Sequence, residues 1–150
     1  MKVKPVSCPA FLMYDETGKI LGVNPVYQTK GAACADIAIP FKTVIPPHTA
    51  VKIPLKIAFA IPVGYKIVMY PRSNLLIKKG LMQPVSIIDQ DFSGNEVSVP
   101  VFNVTDKEVV LEEHERVAQI ECVPAYDCED WEHQNKERGA AGFGTTGEVK

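Results

Sequence analysis

The sequence predicts an all-β domain, a sandwich or barrel of short strands with one brief helix. Twelve prolines and ten glycines punctuate short runs rich in Val and Ile, at the spacing expected of such a fold. In Val97-Ser98-Val99-Pro100-Val101-Phe102 three valines recur with period two, which puts them on one face of a strand. Helical character shows only in Ser73-Asn74-Leu75-Leu76-Ile77-Lys78-Lys79-Gly80. With 150 residues and no internal repeat, the chain is one ordinary domain, able to bury about two-thirds of its unfolded surface.

In chain order, strands are predicted over residues 11–14, 50–60, 65–70, 97–102, 108–111 and 116–123. Ile53-Pro54-Leu55 and Ile61-Pro62-Val63-Gly64 mark edges and turns. Pro100 has no N–H to give to a ladder, so its strand lies at an edge or carries a bulge. The helix, over about 73–80, starts at Ser73 with a good N-cap and ends at Gly80 in the C-cap position. It follows directly on a strand ending in Tyr70-Pro71-Arg72. Beyond Val123, the polar stretch from Asp127 to Arg138 reads as an arm leading to a Gly-rich end. The β domain is therefore drawn at 1–126, with 127–150 as a flexible C-terminal arm of the same functional unit.

Composition narrows the function. A net charge of −2 argues against a general nucleic-acid binder, which needs a basic face for phosphates, but leaves room for a local basic pocket. Met1-Lys2-Val3-Lys4-Pro5 has no apolar signal region and no apolar run approaches membrane-spanning length, so a cytoplasmic protein without a membrane partner is expected. Cys8, Cys34, Cys122 and Cys128 lack CxxC spacing and are expected as buried free thiols. His48, His114 and His133 are scattered without metal-ligand spacing.

Five segments carry chemistry, each with a plain structural reading beside it. Pro71-Arg72-Ser73 sets a guanidinium and a hydroxyl at a strand-to-helix junction, where unpaired N–H groups suit phosphate; equally, Ser73 caps the helix and Arg72 pairs with a surface carboxylate. Ile87-Ile88-Asp89-Gln90-Asp91-Phe92-Ser93-Gly94 delivers two carboxylates and a ring into a turn; Asp89 there can act as a general base on water, or both acids form a solvated Asx-turn. Ala35-Asp36-Ile37 ends a run of small residues on one acid. Gln119 interrupts an apolar strand and needs a partner, backbone or ligand. Arg138-Gly139-Ala140-Ala141-Gly142-Phe143-Gly144-Thr145-Thr146-Gly147 holds a guanidinium, a ring and two hydroxyls in a segment with little helix or strand capacity. Alone it reads as a frayed tail.

Taken together, in this order and over about residues 31–147, the five segments resemble the motifs of the trimeric dUTP pyrophosphatase (dUTPase) family. Ala35-Asp36-Ile37 is similar to the first motif, Pro71-Arg72-Ser73 through Lys79-Gly80 to the second, and Ile87 to Gly94 to the third. Arg116-Val117-Ala118-Gln119 is similar to the fourth, and Arg138 to Gly147 to the fifth. The resemblance implies a jelly-roll-like homotrimer with three sites at subunit boundaries, built from three chains each. It implies that water attacks the α-phosphorus of dUTP, releasing dUMP and pyrophosphate. That reaction limits uracil incorporation into DNA and supplies dUMP for thymidylate synthesis. Asp89 would orient and deprotonate the water. Mg²⁺, held mainly by phosphate oxygens and waters, would be the cofactor, with Asp36 reaching it indirectly through water. Arg72, Ser73 and Gln119 would bind phosphates, with Asn74 following them at the second motif.

The resemblance further implies that Phe92, beside Ile88, packs on the deoxyribose and excludes a 2′-hydroxyl. Phe143 would stack on uracil, Arg138 would reach the γ-phosphate, and Thr145 and Thr146, beside Gly144, would bind phosphates. Uracil would be read by main-chain groups of the hairpin holding Pro84 and Val85. Pro84 and Ser86 stand where the family has Gly, and Pro84 removes one potential N–H donor. Phe92 replaces the commoner Tyr, and Ala141 one tail Gly. Two alternatives stay open: a dCTP deaminase-type relative, for which no convincing pocket carboxylate is found, and a non-catalytic nucleotide-sensing or protein-binding module.

Overall fold

Alternating burial organises the strands of the computed structural model, which describes residues 5–134 and 137–138. Val97, Val99 and Val101 are almost wholly buried while Phe102 faces out, as the period-two pattern predicts. The elements run β1 (Ala10–Leu12), β2 (Ala35–Ala38), β3 (Thr43–Ile45), β4 (Ala50–Pro54), β5 (Ile57–Phe59), β6 (Tyr65–Pro71), α1 (Ser73–Lys79), β7 (Leu81–Met82), β8 (Ser86–Ile88), β9 (Ser98–Asn103), β10 (Val109–Leu111) and β11 (Arg116–Pro124). The strands form antiparallel sheets in the orders β1-β5, β10-β3, β2-β11-β6-β8 and β4-β9-β7. One apolar core joins them, with Ile37, Leu55, Ile67, Met69 and Leu111 closed to solvent. Each such side chain contributes about 1.5–3 kcal/mol.

The single strand predicted over 50–60 is two strands. Lys56 adopts φ 55°, a left-handed turn that costs a non-glycine residue about 1–2 kcal/mol. It redirects the chain so that β4 pairs with β9 and β5 with β1. Gly22 packs against this turn: a Cβ there would stand 2.2 Å from the Lys56 carbonyl oxygen. The helix occupies the predicted place, but its N-cap is Arg72, with no side-chain capping bond, and Ser73 is its first helical residue. Ser73 is therefore not the cap. Gly80 ends the helix at φ 66° against Thr105, whose Cγ2 would lie 2.2 Å from an added Cβ. Pro100 sits in the middle strand β9, opposite Lys52 of β4. On its other side β7 reaches only Phe102 and Asn103, so β9 is an edge at the proline.

Asn103 locks one end of this sheet. Its Nδ2 donates to the carbonyls of Ile45, Pro46 and Lys107, and its Oδ1 accepts from the Thr105 N–H and hydroxyl. It is fully buried with its amide satisfied. The cysteines are free, but only partly as expected: Cys8, Cys34 and Cys122 are half-buried and Cys128 is exposed. Burial, with Cys122 alongside, pushes the Cys8 thiol up to about 12. Among the described residues no helix is long and apolar enough to cross a membrane.

Candidate active site

Strand β11 is the hub of the first cluster. It pairs with β2 on one side and β6 on the other, so Gln119 lies opposite both Asp36 and Tyr70, and Ala118 opposite Pro71. Three of the five motif segments thus meet across neighbouring strands, at the end of β6 where Arg72 leads into α1. A register shift between Arg116 and Ala118 breaks the ladder to β2, as bulges do near functional sites. Asp36, whose side chain is 12% exposed, takes Arg116 Nη1 at 3.1 Å and lies 3.7 Å from Arg72 Nε. Arg72 Nη1 also donates to the Arg116 carbonyl at 3.2 Å. Gln119 donates Nε2 to the Pro71 carbonyl at 3.0 Å, so the partner it needs is backbone. One carboxylate thus holds two guanidiniums, and their surplus positive charge suits an anion. Lys79 braces the helix beneath them, giving Nζ to Glu115 and to the Val110 carbonyl. Beside Gln119, the Tyr70 hydroxyl donates to Glu121 at 2.6 Å, which holds its pKa above the usual phenol value.

The second cluster lies where β8 ends. Asp89 caps the 3-10 turn Gln90–Phe92 by its extended backbone, and the Phe92 N–H returns to its carbonyl at 3.0 Å. Ser93 fixes the turn, bonding the Gln90 carbonyl and accepting the Ile61 N–H. Ile88 is buried, and Phe92, at 6% exposure, belongs to the core. The Asp89 and Asp91 carboxylates project into solvent, 51% and 55% exposed, and Arg138 bridges them: Nη2 to Asp89 at 2.5 Å and Nε to Asp91 at 2.7 Å. The arm's arginine therefore rests on the expected base. Phe143, Gly144, Thr145 and Thr146 lie outside the described residues. Pro84 and Val85 are exposed in the loop between β7 and β8; β7 pairs with β9 and β8 with β6, so the expected hairpin is instead a crossing from one sheet to another.

Within one chain these clusters stand apart. Strand β8 pairs with β6 through Ile88 opposite Ile67 and Ser86 opposite Met69, so Asp89 emerges beside the start of β6. Arg72 follows its other end. At about 3.3 Å per residue, the length of β6 separates them by roughly 20 Å. Ser73 and Asn74 are exposed on the Arg72 side. Sequence reasoning left Arg116 and Asp91 without roles; the Arg-Val-Ala-Gln segment carried the first, but the ion pairs joining them span 80 and 47 residues.

The dUTPase family model matches residues 22–147. The chain belongs to the dUTPase family. A deoxyuridine 5′-triphosphate nucleotidohydrolase from Hydrogenobaculum sp. is 38% identical over 129 residues, covering 82% of this chain and 89% of the relative. One from Desulfotalea psychrophila is 40% identical over 131 residues, covering 82% and 86%. The crystal structure of dUTPase from Streptococcus mutans superposes with a TM-score of 0.71 at 28% identity, over 80% of this chain and 98% of that one. The activity that follows is hydrolysis of dUTP, and neither alternative reading is favoured.

Proposed function

We propose that this dUTPase works as a homotrimer in the cytoplasm, with one chain's Asp89 end completed by a neighbour's Arg72 end. The supporting observation is their separation along β6, which leaves a lone chain with two half-sites. Water, oriented by Asp89, attacks the α-phosphorus of dUTP; the bond from that phosphorus to the bridging oxygen of the β-phosphate breaks. The water's proton passes to the Asp89 carboxylate, and dUMP and pyrophosphate leave. Arg72, Ser73 and Gln119 bind the phosphates, with Asp36 and Arg116 holding Arg72 in place. Phe92, fixed by the core, is a wall for the deoxyribose. Main-chain groups near Pro84 and Val85 face the base.

Arg138 has two positions in this reading. It pairs with Asp89 and Asp91 in the free chain, and it moves to the γ-phosphate when the arm, residues 127–150, closes with Phe143 over uracil. Among the described residues no group of His, Cys, Asp and Glu side chains could cage a metal. Asp36, already shared by two arginines, suits contact through water. These residues fit Mg²⁺ that arrives on the triphosphate and keeps its waters; when bound it neutralises phosphate charge. Hydrolysis in ¹⁸O-water, with and without magnesium, tests the reaction. The label is expected in dUMP; label in pyrophosphate would overturn attack at the α-phosphorus.

A further inference from the structure

Gln83 is half-buried, but both polar atoms of its amide are closed to solvent, and among the described residues neither Nε2 nor Oε1 has a hydrogen-bond partner. Asn103 provides the contrast, since every polar atom of its side chain is engaged. An orphaned amide destabilises the fold, and one retained beside a functional site points to a partner supplied there. Gln83 directly follows β7, in which Leu81 is buried and Met82 exposed, so alternation turns it to the Leu81 side, at the start of the loop that carries the chain from β7 to β8. The next residue, Pro84, has no N–H, so this loop offers one main-chain donor fewer.

We infer that the Gln83 side chain pairs with the polar edge of the nucleotide's pyrimidine, replacing the donor that Pro84 removes. Oε1 accepts the ring N3–H and Nε2 donates to an adjacent ring carbonyl. An amide can turn over about its last torsion, so Gln83 registers the presence of a pyrimidine edge, while main-chain groups select the base. The amide is closed to solvent in the lone chain, so the base reaches it by displacing the loop between β7 and β8. Among the described residues no turn or capping hydrogen bond ties residues 83–85, and Pro84 and Val85 are exposed there.

This inference rests on the dUTP-hydrolysing site proposed above, and two substrates separate the claims. Gln83→Leu and Gln83→Met, assayed as the full-length protein, should raise KM for dUTP about tenfold with kcat within about twofold. Turnover of 2-deoxyribose 5-triphosphate, which has the sugar and phosphates but no base, should be unchanged. Without nucleotide, melting temperatures should stay level or rise, because an unpaired amide has been removed. Equal losses on both substrates, or an unchanged KM for dUTP, would overturn the role of Gln83. Absence of dUTP hydrolysis by the unaltered protein would instead overturn the underlying reading.

Discussion

Asp36 and Asp89 each meet an arginine, yet the two ends of the candidate site are built on different terms. Asp36 sits inside a sheet, 12% exposed, with one partner, Arg116, from β11 and the other, Arg72, directly after β6, strands that the ladders hold in register. Asp89 stands half in solvent, and its partner Arg138 comes from the arm rather than the sheet. The end proposed to bind the anion is preorganised by backbone pairing, as electrostatic catalysis requires. In the proposed reading Asp89 is the base and Arg138 leaves it as the site closes, which a site that must first admit water requires.

The largest effect that would sharpen this comparison is at Asp89. Asp89→Asn is expected to cut kcat about a hundredfold or more while leaving nucleotide affinity nearly intact, read from pyrophosphate release and from binding of a non-hydrolysable analogue. Normal turnover would remove Asp89 from the base role. Ending the chain at Glu137 should lower kcat roughly thirtyfold through loss of closure, with little change in melting temperature. A fall in stability matching the fall in rate would break the idea that the arm is separable from the sheet. Asp36→Asn frees Arg72 and Arg116 from their shared carboxylate; KM should rise about tenfold and kcat should move less. If kcat falls as far as in Asp89→Asn, the two ends are not distinct. The mildest readout is thiol labelling by iodoacetamide at pH 8. Burial, with Glu121 and Asp36 nearby, raises the Cys34 pKa, so its thiolate is scarce and it should react more slowly than exposed Cys128 on the arm. Equal rates would mean the Asp36 end is as open as the arm.

Local signals foretold much of this molecule. The valine alternation of β9 and the helix closed by Gly80 are short-range patterns and stand where expected. Strand β2 was less legible because Ala35 and Ala38 are small, and small residues carry little strand preference. The break at Lys56 was illegible, since a lysine turning left-handed leaves no glycine or asparagine to mark it. At the site, residue types and order exposed Arg72, Asp89 and Arg138. Their grouping was hidden, because it depends on β6 keeping Arg72 from Asp89 while the arm brings Arg138 back. Gln83 gave no sequence signal; only burial without a partner singles it out.

The span of β6 has a genetic corollary. In the proposed trimer, a chain bearing Asp89→Asn still offers a sound anion clamp, and a chain bearing Arg72→Ala still offers a sound base. Co-assembled from equal amounts, two inert parents would complement each other, regaining about one working centre in four on random mixing around a threefold ring.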